Sequence, residues 1–325
     1  MNQEINSSLT SIIENDYSNV AGLMVYSQER IIYKQCFGEY TYDQSIHVAS
    51  VTKSVISMLM GIAIQNGQIQ SVEQKVLDFF PNYIPKRGEK TLQHIKIKHL
   101  LSMNAPYKFK YEPYTKVYSS EDWTQATLDL LGGKAKIGEF KYTTVGIQIL
   151  SGILAQCVGS SLIEYAEQYL FQPLGINTPE NVNILNKDAH FAFIKQRNTR
   201  GWVVDPNNIN TAGWGLAISL NDMLKLGQLY LNEGLWQGKQ IIDPNWIKQS
   251  STMQSKYGEL EYGYLWWLVK DGGGSYAAIG DGGNIIYICP KSKTVIVIAS
   301  HFMPRAKDRI ELIHSHILPS LGLQQ

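Results

Sequence analysis

Apolar positions recur at helical spacing over residues 5–17, which predicts a short helix. Two β-branched and aromatic runs follow, 21–27 and 30–38, split by Gln28-Glu29; they read as a hairpin. Over residues 50–65 the apolar side chains (Val51, Val55, Ile56, Met58, Leu59, Met60, Ile62 and Ile64) fall on every side of a helix. That is the signature of a central buried helix, and Asn66-Gly67 supplies its stop. Helical periodicity continues over 95–102, 120–131, 144–158, 161–171 and 219–232, with Pro81, Pro85, Pro106 and Pro113 marking loops between. Strand character returns over 262–269, 275–280, 284–289 and 294–300, joined by turns at 271–274, 281–283 and 290–293. An amphipathic helix over 306–321 closes the pattern.

Strands at both ends and helices in the middle imply an α/β fold of the α+β type. Its antiparallel sheet would be flanked by N- and C-terminal helices, with a mostly helical domain inserted. The expected division is 1–65 with 255–325 as the α/β domain and 66–254 as the insert. The cleft between two such bodies is a usual place for a ligand.

Composition narrows the function. The 325 residues carry 29 Lys+Arg against 28 Asp+Glu, a net charge of +1. Nucleic-acid binding and polybasic membrane attachment both call for a basic excess that is absent. No apolar run reaches the length of a membrane span, and residues 1–20 lack the apolar core of a signal peptide; the expected compartment is the cytoplasm. Cys36, Cys157 and Cys289 are far apart and read as buried apolar residues. His314 and His316 lie two apart and do not share a helix face, so no metal ligand set emerges and no cofactor is expected.

Three segments carry candidate chemistry. Ser50-Val51-Thr52-Lys53 is the one Ser-x-x-Lys in the chain, and it opens the apolar helix. The spacing puts both side chains on one face. The helix N-terminus favours negative charge near Ser50, and an apolar setting favours loss of the lysine proton. A neutral Lys beside a Ser can take the hydroxyl proton. The bland alternative is an N-capping Ser followed by a solvated Lys. In Phe140-Lys141-Tyr142-Thr143-Thr144 a phenol precedes a helix and could relay a proton. In Tyr276-Ala277-Ala278-Ile279-Gly280-Asp281-Gly282-Gly283-Asn284 a strand enters a glycine-rich turn, where a backbone N–H could meet an oxyanion.

Together these segments resemble the serine hydrolases of the penicillin-recognising fold: class C β-lactamases, DD-peptidases, related esterases and 6-aminohexanoate-dimer hydrolases. The likeness extends through Ile97–Met103, Phe140–Leu150, Pro173-Leu174-Gly175, Thr211–Leu216 with Asn221-Asp222-Met223, and Tyr262–Trp267, in the family's order. It implies Ser50 as the acylated nucleophile, Lys53 as its activating base and Tyr142 as the group that passes the proton to the leaving group. It also implies an oxyanion hole from the backbone N–H of Ser50 and that of the residue after the third motif. With Ala278-Ile279-Gly280 as that motif the donor is Asp281, the preferred register; with Asp281-Gly282-Gly283 it is Asn284. Thr144, Trp214, Ala278 and Gly280 would contact substrate. Tyr107, Tyr111 and Tyr114 are further candidates for an aromatic wall, and the polar loop of Asp205, Asn207 and Asn208 is expected to be solvated.

Two departures shape the substrate. The third motif begins with Ala278 or Asp281 where β-lactamases and peptidases carry a cation for a substrate carboxylate, and the second motif ends in Thr144 in place of Asn or Ser. An ester or small-amide hydrolase is the expectation. A weak β-lactamase or D-amino-acid peptide hydrolase, and a non-catalytic binding protein on the same fold, are the alternatives.

Overall fold

In the computed structural model, which describes residues 3–323, the two ends of the chain meet in one sheet. After helix α1 (Gln3–Asp16) come β1 (Val20–Ser27) and β2 (Arg30–Cys36), then the short β3 (Ser45–His47) and helix α2 (Val51–Gln65). The middle of the chain gives β4 (Asn181–Asn183), β5 (Gly201–Val204), β6 (Leu216–Ser219) and the two-residue strands β7 (Leu235–Trp236) and β8 (Lys239–Gln240). The last part gives β9 (Ser255–Tyr257), β10 (Leu260–Tyr262), β11 (Trp267–Leu268), β12 (Tyr276–Gly280), β13 (Asn284–Cys289) and β14 (Thr294–Ser300). The eight-stranded sheet runs β2-β1-β14-β13-β12-β11-β10-β9. Every neighbouring pair in it is antiparallel.

The central strands are buried along nearly their whole length, and apolar over their middle positions, because both faces are covered. Along β13, Ile285, Tyr287 and Cys289 face α1 and the C-terminal helical segment, while Ile286 and Ile288 face α2. Val25 and Met24 of β1 divide in the same way. Helix α2 is buried from Val51 to Ala63, as its all-round apolar pattern requires. The core around it continues without a break into the middle of the chain, through Leu100, Ile149, Tyr165, Trp202 and Leu226.

The structure departs from the sequence expectation in several places. Residues 262–269 do not form one strand: β10 and β11 are a tight hairpin whose turn holds Leu265 at φ +64°. The helix expected over 144–158 begins only at Gln148, which leaves 140–147 irregular beside α2. The middle region, expected to be mostly helical, also holds strands: β3 pairs with β6 in a four-stranded sheet of order β3-β6-β5-β4. That sheet ties the segment leading into α2 to the middle of the chain.

Candidate active site

Ser50 is the N-cap residue of α2, and its side chain makes no capping hydrogen bond. The preceding Ala49 has φ +49°, a conformation costly for a residue with a Cβ. The Ser50 hydroxyl is thereby free to face Lys53, whose Nζ lies 2.7 Å from Ser50 Oγ. Lys53 Nζ also lies 2.7 Å from Gly213 O and 3.2 Å from Thr144 Oγ1. Lys53 is only 1% exposed, and no carboxylate within 4 Å pairs with it among the described residues. Burial lowers its pKa to about 7, with the more distant Glu112 charge opposing the shift. A neutral amine has two N–H groups and one lone pair. Gly213 O and Thr144 Oγ1 take the two N–H groups, which leaves the lone pair for the Ser50 hydroxyl.

Gly213 is needed here for its lack of a side chain: a Cβ would lie 2.5 Å from Thr144 O. The segment carrying the Gly213 carbonyl can then close on the 140–147 segment and on Lys53.

Tyr142 projects from that irregular segment. Its ring lies 4.9 Å from Lys53 Nζ and stacks on Trp267 at 5.2 Å, with Tyr262 edge-on at 6.1 Å. Burial raises the Tyr142 pKa, against a smaller lowering through its interaction with the Ser50 hydroxyl; Glu112 and Asp281 add to the rise. At neutral pH the phenol therefore holds its proton.

A cavity of about 580 Å³ opens beside Ser50 and is lined also by Thr144, Trp214 and Asp281. Its remaining wall is mostly aromatic and aliphatic, with Tyr114, Tyr118, Trp123, Ile184, Leu185, His190, Phe191, Ile194 and Phe302, and it also carries the polar Thr115, Ser119 and Asn186 and the cation Lys187. Trp214 donates from Nε1 to the Tyr118 hydroxyl at 2.9 Å and stacks on His190 at 4.6 Å. His47, also in the wall, accepts from the Gly215 N–H at 3.2 Å, and burial takes its pKa down to about 3, so it is a neutral group.

The backbone N–H groups of Ser50 and Asp281 donate to no acceptor among the described residues. That of Asn284 belongs to a residue paired with Gly280 in the β12–β13 ladder.

Several expected contacts are placed elsewhere. Ala278 is 1% exposed and packs into the core on the α2 side, because every second residue of β12 points there. Gly280 does not line the cavity either: a Cβ on it would lie 2.2 Å from Val48 O, so its role is to let β12 approach the segment before Ser50. Tyr107 is core and Tyr111 is exposed; of the three loop tyrosines only Tyr114 lines the cavity. Asp205 is fully buried and caps its own loop, accepting from the N–H groups of Asn207 and Ile209.

Sequence reasoning missed Tyr118, His190 and Phe191. The last two sit on helix Lys187–Lys195, whose apolar residues Ala189, Phe191, Phe193 and Ile194 give a weak helical pattern. Among the described residues no cluster of three or more His, Cys, Asp or Glu side chains could hold a metal ion.

Comparison with known proteins places this geometry. Residues 13–318 match the Beta-lactamase family profile. A 6-aminohexanoate-dimer hydrolase of Paenarthrobacter ureafaciens is 22% identical over 274 residues, which is 76% of this chain but 64% of that protein. Among solved structures, a penicillin-binding protein homologue from Caulobacter crescentus superposes with a TM-score of 0.72 at 15% identity, covering 98% of this chain and 97% of that one. EstCE1, a hydrolase with promiscuous acyltransferase activity, superposes with a TM-score of 0.71 at 16% identity, covering 98% of each chain. These superpositions show the shared fold. The profile match spans nearly the whole described chain, and the chain belongs to the Beta-lactamase family, a hydrolase family with the β-lactamase/transpeptidase-like fold.

Proposed function

We propose that the protein is a serine hydrolase that cleaves an ester or small amide through an acyl-enzyme on Ser50. The observation that carries this reading is the set of three partners around Lys53 Nζ, which leaves the lone pair of the neutral amine on the Ser50 hydroxyl. As Ser50 Oγ bonds to the carbonyl carbon, its proton passes to Lys53. The carbonyl oxygen becomes an oxyanion, for which the unpaired N–H groups of Ser50 and Asp281 are the donors at hand. When the tetrahedral intermediate collapses, the bond to the leaving group breaks, that group takes the Tyr142 proton, and the Lys53 ammonium reprotonates Tyr142. Water then attacks the acyl carbon, gives up a proton along the same route and returns Oγ–H to Ser50. Every proton taken is returned, and the residues named supply each transfer.

The cavity wall favours an apolar group beside the scissile carbonyl; its two charged lining residues, Asp281 and Lys187, are of opposite sign. Ala278 stands where β-lactamases and peptidases carry a cation for a substrate carboxylate, and this supports an ester or small amide over their substrates. The names of the relatives, a 6-aminohexanoate-dimer hydrolase and a hydrolase with promiscuous acyltransferase activity, agree with transfer of an acyl group.

Mixing the protein with a fluorophosphonate probe and a panel of p-nitrophenyl esters tests the reading. One adduct, mapped to Ser50, and a burst of nitrophenol are expected, and Ser50→Ala should lose both. Turnover that survives Ser50→Ala would sink the assignment. A folded protein that binds the esters without adduct or release is instead a binding protein on a hydrolase fold.

A further inference from the structure

The two oxyanion donors of the proposed reaction come from distant segments, and their separation has to be held to a fraction of an ångström. The Asp281 N–H opens the turn Asp281-Gly282-Gly283, in which Gly282 and Gly283 have φ +81° and +95°. Such a turn is not rigid on its own. Its three carbonyls nevertheless all accept hydrogen bonds from buried side chains. Asn284 Nδ2 donates to Asp281 O at 3.4 Å, Asn19 Nδ2 to Gly282 O at 2.6 Å, and Ser300 Oγ to Gly283 O at 3.0 Å. Behind them the buried Arg309 guanidinium donates to Asn19 Oδ1 at 2.7 Å. It lies so close under Gly283 that a Cβ there would be 2.5 Å from Arg309 Nε.

Of these side chains Asn284 also reaches the other donor's segment. Its Nδ2 lies 3.3 Å from His47 O, in the strand that leads into Val48-Ala49-Ser50, and its Oδ1 accepts from the Ser300 N–H at 2.9 Å. Asn284 is 1% exposed and lies outside the cavity lining, so it does not touch a bound substrate.

We propose that Asn284 is a positioning residue: its amide ties the His47 and Asp281 carbonyls together and so sets the span between the Ser50 and Asp281 N–H groups. This inference rests on the acyl-enzyme reading above. Gly280 belongs to the same device, since its missing side chain lets β12 sit against Val48 O.

The test compares wild type with Asn284→Asp, which is isosteric but turns the donor into a charged acceptor facing two carbonyls, and with Asn284→Ala. The measurements are kcat and KM on a p-nitrophenyl ester, the pH midpoint of acylation, and Ki for an alkylboronic acid. The boronic acid bonds to Ser50 Oγ and mimics the tetrahedral intermediate. Both variants should lose about 10- to 100-fold in kcat with KM within about 2-fold. Ki for the boronic acid should rise in step, and the pH midpoint set by Lys53 should stay in place. A merely structural role would lower Tm and leave kcat and Ki of the folded fraction as they are, which would overturn the proposal. So would a fall in kcat with an unchanged boronate Ki. If neither Asn284 variant folds, Ser300→Ala, which removes the donor to Gly283 O and an acceptor of Arg309 but leaves the Ser300 N–H to Asn284 in place, carries the test: kcat and Ki must shift together by a smaller factor, and constancy of both overturns the proposal. Wild type that gives no burst and no Ser50 adduct overturns the acyl-enzyme reading and this inference with it. A normal wild-type burst with unchanged variants overturns this inference alone.

Discussion

Two polar clusters are buried on opposite faces of the large sheet, and they end in different states. On the α2 face, Lys53 is enclosed with Ser50, Thr144 and the Gly213 carbonyl, and its group of partners opens onto a cavity. On the other face, Asp271 accepts from the Tyr287 hydroxyl at 2.6 Å and the Gly273 N–H at 2.8 Å, and Tyr287 is also 3.0 Å from Ser275 Oγ and 3.4 Å from His314 Nε2. Burial alone would raise the Asp271 pKa, but its hydrogen bonds outweigh burial and leave it lowered. Lys53 has too few charge-stabilising partners and is pushed toward neutrality. The comparison teaches that burial by itself does not mark a reactive group. A fully satisfied cluster holds structure together, whereas a cluster with one valence left over, facing a cavity, is equipped for proton transfer.

The sharpest way to break this comparison is to remove the charged member of each cluster. Lys53→Met should reduce acylation by roughly 10²–10⁴-fold, because general-base assistance is lost. It should change thermal stability little near pH 7, because relief from burying an amine offsets the Gly213 carbonyl left without its donor. Asp271→Asn should do the reverse. It should cost about 1–3 kcal/mol in denaturant unfolding, through lost charge-assisted hydrogen bonds, with kcat within about 2-fold of wild type. If Asp271→Asn lowers kcat at constant stability, the two clusters are not distinct in kind.

A smaller effect sharpens the Lys53 side. The acylation rate should rise with pH and reach half its plateau near 7, where Lys53 loses its proton. Thr144 Oγ1 accepts from Lys53, and an acceptor stabilises the ammonium more than the amine. Thr144→Val should therefore move the midpoint to lower pH and reduce the plateau by a few-fold. A midpoint that moves upward would show that Thr144 acts mainly on the neutral amine. Stability follows the same titration with a definite sign. The unfolded chain protonates Lys53 up to about 10.5 and the folded one only up to about 7. Wild-type stability should thus gain from this group as pH rises through that window, and Lys53→Met should lose the gain.

Much of this was legible in the sequence, for identifiable reasons. The run of apolar residues on all sides of 51–64 could only be a central helix, and a Ser-x-x-Lys at its start fixes two side chains by helix geometry alone. The central strands were legible because sheets covered on both faces demand continuous apolar runs. The β10–β11 turn was not. Its residues, Gly263-Tyr264-Leu265-Trp266, read as strand, and only tertiary contact shows why Gly263 is there: a Cβ would lie 2.0 Å from Ser250 O. Ala278 and Gly280 were expected beside substrate because the motif they align with holds it there. In this chain the inward-facing Ala278 and Gly280 are small and are covered by α2 and the segment before Ser50. The cavity wall was the least legible part, since Tyr118, His190 and Phe191 come together only through folding of segments far apart in sequence.

The sheet order has a consequence for how the protein is made. β1 is hydrogen-bonded to β2 on one side and to β14 on the other, although β14 is the last strand in the chain. A hairpin of β1 and β2 can form early in translation, but its second edge stays bare until residues 294–300 emerge. For most of synthesis the nascent chain therefore exposes an apolar strand edge, and Ser50 has no Asp281 opposite it. Contacts this distant in sequence slow folding and lengthen the period in which a chaperone must shield that edge. A nascent chain arrested between residues 54 and 280 would hold Ser50 and Lys53 and still lack Asp281 and Phe302 of the cavity wall, and with Asp281 the second of the two proposed oxyanion donors.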